Sequence, residues 1–223
     1  MKFIRKNREN LLIESFKEAF EKIAVKKQQN KKRLSFVLTG GPSPIKLYKR
    51  LSQLSIDWKN VDFFWGDERF VPKNSKYSNY LLAKKNLLDL ININKNQIYP
   101  VNTKKNTSFE SSKHYGKKIR NYFKKNKIEF DIVLLGMGYD GHIASVFPGD
   151  LDIKSNNITR HVIREDFERI SISLKTINNS RSIFLWLNSK KRTKIFFKLK
   201  NKKKRQIPVS YLNNSKTTIF TLK

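Results

Sequence analysis

Four short runs in this chain are apolar almost without a break, and each stops at a turn: LSFVLTG (34–40), VDFFWG (61–66), FDIVLLG (130–136) and SIFLWLN (182–188). A strand with one wet face alternates apolar and polar residues. A run without alternation is buried on both faces, the condition of strands inside a parallel sheet. The segments between the runs carry helical spacing instead. Leu12, Phe16, Ala19, Phe20 and Ile23 recur at intervals of three and four within 11–26. Pro44 suits the first turn of a helix over 44–53, with Ile45, Leu47, Tyr48 and Leu51 as its apolar face. Ser78 is an N-cap for 78–88. Tyr115, Ile119, Tyr122 and Phe123 share one side of 109–124, and 189–200 reads helical. RISISL (169–174) alternates, and TTIFTL (217–222) reads as a last strand. Strands taking turns with helices predict an α/β fold: one domain over 1–223, with a mainly parallel sheet and helices on both faces.

Composition permits such a core and closes several functional routes. Aromatics make up 12% of the chain, with 16 Phe, enough large rings to fold in spite of a net charge of +30 from 48 Lys+Arg against 18 Asp+Glu. The absence of cysteine removes disulfides, thiolate metal sites, iron–sulfur clusters and a thiol nucleophile. Three His leave little for a His-rich metal site. No apolar run approaches the ~18 residues of a membrane span. Glutamates interrupt the opening MKFIRKNRENLLIE and no apolar stretch follows it. Neither a membrane anchor nor a signal peptide is therefore expected, and the expected location is the cytoplasm. The positive excess has two readings. One is binding of nucleic acid or an anionic membrane. The other is drift toward A-rich codons, which raises Lys, Asn and Ile together. The lysines are scattered in pairs such as Lys26-Lys27, Lys84-Lys85 and Lys117-Lys118, with one dense run from Lys200 to Arg205. Dispersal favours drift, so no specific nucleic-acid partner is expected, only nonspecific polyanion binding.

Ligands of parallel sheets bind beyond the carboxyl ends of the strands, and the scarce residues collect there. Seven of the eight glycines (40, 41, 66, 136, 138, 141 and 149) lie in three such loops. In Thr39-Gly40-Gly41-Pro42-Ser43-Pro44, amides at a helix start and the Ser43 hydroxyl form an anion cradle; an ordinary turn with Ser43 as N-cap is the alternative. The Lys of a P-loop is missing. In Trp65-Gly66-Asp67-Glu68-Arg69 the guanidinium suits a phosphate or carboxylate, with Asp67 and Glu68 to orient it or join the chemistry; a surface ion pair is the alternative. Gly136-Met137-Gly138-Tyr139-Asp140-Gly141-His142 lets the backbone fold close to a substrate. His142 then sits in or just before a helix start, where an imidazole acts as general base on water, oriented by Asp140; a helix-capping His is the alternative. The spacing does not match a dinucleotide fingerprint. Asn188-Ser189-Lys190-Lys191-Arg192 puts cations at a helix start against the dipole, which an anion bound between them would explain; solvated lysines are the alternative. His114 and His161 read as structural.

Taken in order, LTGGPSPIKLY (38–48), FFWGDERFVPKNSKYSNY (63–80), FDIVLLGMGYDGHIASVFPG (130–149), RISISLKTINNSRSIFLWL (169–187) and Lys191 resemble the 6-phosphogluconolactonases of the glucosamine-6-phosphate isomerase/lactonase superfamily. The SVFPG ending sets the chain apart from the deaminase branch, which usually carries Asn-Glu-Pro after GHI(A/G)F. The resemblance implies a Rossmann-like fold of the sugar-phosphate isomerase/lactonase type. It implies hydrolysis of 6-phospho-D-glucono-1,5-lactone to 6-phosphogluconate in the oxidative pentose phosphate pathway, with no metal or other cofactor and a small sugar-phosphate lactone as the partner. A monomer is expected. By the same resemblance His142 is catalytic and Asp140 helps it. Arg69 and Lys191 bind the phosphate, with Gly40, Gly41 and Ser43 supplying the loop. Asp67, Glu68, Gly138, Gly141 and Arg181 stand around the substrate or behind these groups. The chain departs from the family in places. Pro42 enters a loop that usually reads Gly-Gly-Ser-Thr-Pro and removes one N–H, and Ser43 stands for Thr. The stretch from Gly149 to Arg169 has no Lys-Pro-Pro-like element, and the last residues read TTIFTLK in place of a Trp-Leu-Leu-Asp-like ending. An amino-sugar-phosphate isomerase that releases ammonia, and a basic nucleic-acid-binding protein on a decayed enzyme fold, are the competing readings.

Overall fold

The four apolar runs become the middle of a seven-stranded sheet in which every neighbouring pair is parallel. The computed structural model describes residues 1–124, 126–149, 156–200 and 206–223; apart from Lys200, the basic run 200–205 lies outside the described residues. The chain begins with β1 (Lys2–Lys6), α1 (Glu9–Gln29), β2 (Leu34–Leu38), α2 (Ile45–Leu51) and β3 (Val61–Trp65). A three-residue strand β4 (Asp67–Arg69) follows, then α3 (Asn79–Asn86), β5 (Ile98–Tyr99), α4 (Ser108–Phe123) and β6 (Ile132–Leu135). After β7 (Thr159–Ile163) and β8 (Glu168–Ile172) come α5 (Leu174–Asn179), β9 (Ser182–Leu187), α6 (Lys190–Leu199) and β10 (Thr217–Leu222).

Every residue of β2, β3 and β6 is buried, which is why their sequences do not alternate. The one acid among them, Asp62, is held by the Arg33 guanidinium and by the Tyr122 hydroxyl at 2.9 Å. Helices α1, α2 and α3 cover one face, where Phe16 meets Phe184, Trp186 and Phe220 at ring-centroid distances of 5.2, 5.7 and 4.9 Å. On the other face Val37, Phe64, Val133 and Leu185 pack with Tyr115 and Ile119 of α4, Ile177 of α5 and Phe196 of α6.

RISISL belongs to a second, antiparallel sheet of order β4-β8-β7. Its alternation does not mark a wet face. Ile170 and Ile172 enter the core, while buried Ser171 accepts the Ser145 N–H at 3.1 Å. The WGDER segment is correspondingly not a free loop, because Asp67–Arg69 pairs with Arg169–Ser171.

The sheet order is β1-β10-β9-β6-β2-β3-β5. From β2 the chain adds β3 and β5 on one side, then returns to lay β6 against the opposite side of β2 and continues outward through β9 and β10. The direction of growth therefore reverses between β2 and β6, where doubly wound sheets open a crevice for ligands. Two buried tyrosines complete the backbone bonding there. Tyr48 Oη accepts the Thr39 N–H at 2.9 Å and donates to the Thr39 carbonyl at 2.7 Å. Tyr115 Oη does the same for Trp65 at 2.8 and 2.9 Å. Burial pushes both phenols well above their ordinary range, so they stay neutral and able to donate.

Phe16 is fully buried in its aromatic cluster. Phe16→Ala is expected to destabilise the protein by about 3–5 kcal/mol, measured by urea unfolding; a loss below about 1 kcal/mol would show that the cluster refills the space.

Candidate active site

The reversal in strand order carries four chain segments into one cleft of about 200 Å³. Thr39 to Ser43 follow β2, Asp67 and Arg69 come from β4, Gly136 to Gly138 and His142 follow β6, and Arg192 reaches in from the first turn of α6. An adjoining hollow of about 590 Å³ shares Asp67, Arg69, His142 and Ala144, and extends past Asp140, Phe147 and Arg164. The imidazole stands where the narrow and broad parts meet.

His142 Nδ1 lies 2.7 Å from Asp140 Oδ1, which also accepts the His142 backbone N–H at 3.1 Å. A carboxylate accepts, so Nδ1 carries a proton in this pairing, and in the neutral imidazole the lone pair is on Nε2. The ring packs on Phe147, centroid to centroid 4.6 Å, and directly over Gly138. A Cβ at 138 would lie 2.2 Å from ring atoms Cε1 and Nδ1, so glycine there is what lets the imidazole reach Asp140. Burial pushes the Asp140 carboxyl up, but the bonds from the His142 ring and backbone outweigh it and hold the group below the ordinary Asp range. Asp140 is therefore an anion at neutral pH.

The glycine loop does not open a helix, as the sequence had suggested. It closes on itself through Gly138 N–H to the His142 carbonyl (2.9 Å) and Gly141 N–H to the Gly138 carbonyl (3.1 Å), followed by a bridge between Ile143 and Val146. Ala144 sits in the left-handed region at φ +48°, a strained conformation for a residue with a Cβ. The next residue secures it: Ser145 Oγ donates to Asp67 Oδ2 at 2.7 Å, and its N–H to Ser171.

Arg69 Nη1 donates to the Tyr77 carbonyl at 2.8 Å, which fixes the guanidinium and leaves its other N–H groups for the cleft. The N–H groups of Gly40, Gly41 and Ser43 have no protein acceptor among the described residues. Gly40 lies against Asn79, whose Oδ1 would be 2.0 Å from a Cβ at 40; Asn79 Nδ2 in turn donates to the Asp67 carbonyl at 2.9 Å. Ser43 does not cap α2. The N-cap position is Pro44, with no side-chain cap, while the Ser43 carbonyl accepts from Trp186 Nε1 and Asn188 Nδ2, both at 3.2 Å.

A family model described as glucosamine-6-phosphate isomerases/6-phosphogluconolactonase matches residues 7–220. The chain belongs to this family. A 6-phosphogluconolactonase of Nostoc sp. is 38% identical over 125 residues, 55% of this chain and 51% of that protein. One of Mycobacterium leprae is 33% identical over 170 residues, 71% of this chain and 69% of that protein. The match spans about half the length of the Nostoc relative. The solved structure of a 6-phosphogluconolactonase from Plasmodium vivax superposes with a TM-score of 0.85 at 27% identity, over 99% of this chain and 90% of that one.

One of the residues that the family resemblance pointed to stands elsewhere. Arg181 precedes β9, at the amino edge of the sheet, where it pairs with Glu129 (2.8 Å) and Asp131 (3.4 Å). The cleft is at the carboxyl edge, about 20 Å away along a six-residue strand, so Arg181 is not a site residue. Lys191 is exposed, its ammonium 4.7 Å and the neighbouring Arg192 guanidinium 5.4 Å over the Tyr139 ring at the mouth of the cleft, and of the two Arg192 is in the cleft lining. Glu68 is buried behind the cleft. It accepts N–H bonds from Arg69, Asn79 and Tyr80 at 2.7–2.9 Å and the Ser78 hydroxyl at 3.1 Å, tying β4 to the start of α3. Burial pushes its carboxyl up to about 7 against those N–H bonds. Asn79, Ser145 and Phe147 were not singled out from the sequence, although they lie inside the SNY and GHIASVFPG motifs. Among the described residues no three His, Asp or Glu side chains gather as a metal site, and no helix is long and apolar enough to cross a membrane.

Glu68→Ala would orphan four donors, and is expected to lower stability by about 2–4 kcal/mol in urea unfolding; a change below about 0.5 kcal/mol would show that water replaces the carboxylate without cost.

Proposed function

We propose that the protein hydrolyses 6-phospho-D-glucono-1,5-lactone to 6-phospho-D-gluconate, a step of the oxidative pentose phosphate pathway. One observation carries this reading. An imidazole whose Nε2 makes no protein hydrogen bond among the described residues, oriented by a charged carboxylate, shares a cleft with two guanidinium groups and three backbone amides that likewise lack an acceptor among them. The amides and cations suit a dianionic phosphate. Arg69, Arg192 and the 40–43 loop hold the phosphate in the narrow part, and the lactone ring extends past His142 into the broad part. Binding energy from this remote phosphate positions the carbonyl carbon for attack.

His142 Nε2 takes a proton from water as the water oxygen bonds to the lactone carbonyl carbon. Asp140 stabilises the imidazolium that forms. The carbonyl oxygen becomes a tetrahedral oxyanion, stabilised by nearby N–H donors. The carbon–ring-oxygen bond then breaks, the ring oxygen takes the proton from the imidazolium, and the new carboxylic acid ionises. No covalent enzyme intermediate is needed, and no metal or redox cofactor enters the steps.

His142→Ala is expected to lower kcat by about 10²–10⁴-fold with little change in KM, measured on freshly generated lactone above its spontaneous hydrolysis. Wild-type turnover in this variant would remove the imidazole from the mechanism. Release of ammonia from glucosamine 6-phosphate by the wild-type protein would mark the isomerase branch instead.

Arg192→Ala should raise KM for the phosphorylated lactone by about 10–100-fold, the loss of a charge-assisted bond. Lys191→Ala should change it by less than about 3-fold. The reverse ranking would return the phosphate contact to Lys191.

A further inference from the structure

A hollow of about 550 Å³ lies between α4 and β7, lined by Phe109, Lys113, Lys117, Arg120, Arg160 and His161 among others, and no acidic residue lines it among the described residues. It shares none of its lining with the cleft at His142. Lys113, Lys117 and Arg120 recur at intervals of four and three, so they share one face of α4. All three are exposed, and none pairs with a carboxylate among the described residues. Glu110, the one acid of α4, stands three residues before Lys113 on the same face but makes no ion pair with any of the three. Phe109 is 47% exposed. The Lys113 ammonium sits 4.2 Å over its ring, and His161 meets it edge-on at 5.2 Å. A half-exposed aromatic ring, covered only by a flexible lysine, beside a row of cations combines the two features by which proteins hold single strands: stacking for bases and charge for phosphates.

Another large basic hollow differs. It lies at the amino edge of the sheet, lined by Lys22, Lys26, Lys27, Lys32 and Arg181, but buried Asp131 is part of its wall and pairs with Lys27 and Arg181. No aromatic ring lines it. A phosphate there would face a carboxylate, and a base would have nothing to stack on.

We propose that the α4–β7 groove binds single-stranded nucleic acid without sequence preference, with Lys117 and Arg120 on successive phosphates, and a base stacked on Phe109 in place of the Lys113 ammonium, which turns from the ring to a third phosphate. Backbone charge and a π-face are common to all sequences, so the site discriminates strand form and not base order.

The test is fluorescence anisotropy of a labelled oligothymidine of about twelve residues, titrated with the full-length protein between about 50 and 200 mM salt. Replacing Lys113, Lys117 and Arg120 by Gln removes three phosphate contacts. The slope of log affinity against log salt should then flatten by about 2, and affinity near 100 mM should fall about 100-fold. Each single substitution should flatten the slope by about 0.7, which keeps the test open if the triple variant folds poorly. Replacing Lys22, Lys26 and Lys32 by Gln removes the same net charge and should change affinity by less than about 3-fold. Phe109→Ala should weaken binding about 5- to 100-fold, and Phe109→Tyr should restore it. Equal losses in the two triple variants would assign binding to net charge and overturn the proposal. So would unaltered affinity in the groove variants or in Phe109→Ala, equally tight binding of duplex DNA, or equal displacement by base-free polyphosphate.

Discussion

Seven strands that all run the same way end on the same edge, and every loop that follows one of them opens there. Covering both faces of such a sheet drives the folding here, through Phe16, Phe184 and Trp186 on one side and Phe64, Tyr115 and Phe196 on the other. The hydrophobic effect has no direction, but the parallel arrangement gives its result one. Strand order then decides which loops become neighbours. Because β6 returns to the free side of β2, the 39–43 and 136–142 segments face each other although about a hundred residues separate them.

The cleft depends on groups that never enter it. Tyr48 and Tyr115 satisfy backbone groups where the ladders of β2 and β3 run out, and an unpaired amide at that depth would cost more than a typical hydrogen bond gains. Glu68 holds the start of α3, which places Asn79 behind Gly40. Ser145 joins the strained turn at Ala144 to Asp67 on one side and Ser171 on the other. Arg69 is anchored through a single N–H. Polar groups that would otherwise collapse onto one another are thus committed to the backbone, and the imidazole, guanidinium and amide donors stay available to a ligand.

The large positive charge divides once the chain is folded. Part of it surrounds buried acids, as Lys27 and Arg181 do with Asp131 and Arg33 does with Asp62. Part of it lines the cleft at Arg69 and Arg192. The row on α4 has neither role, and it is the row that accompanies an exposed phenyl ring. Lysines scattered along the sequence leave no block to notice, because the residues that form the groove come from a helix and from a strand some forty positions later.

The sequence by itself determined the kind of fold and which loops form the cleft. Continuous apolar runs can be buried only on two sides, which makes the sheet parallel, and glycines collected beyond those runs mark where a backbone comes close to a ligand. His142, Asp140, Arg69 and the 40–43 loop were legible for that reason, each lying within a few residues of a strand end. What the tertiary structure alone decided were matters of direction. Lys191 and Arg192 are adjacent in sequence and both lie over the Tyr139 ring, and only the fold shows that Arg192 is the one in the cleft lining. Arg181 lies in a run of family-like residues, yet it sits at the start of β9 and faces the wrong edge of the sheet. Glu68 and Asp67 are neighbours in one motif, and the two-residue alternation of β4 sends the first into the body of the protein and the second toward the cleft. Periodicity tells which residues share a face, but which face meets the ligand is settled when the elements pack.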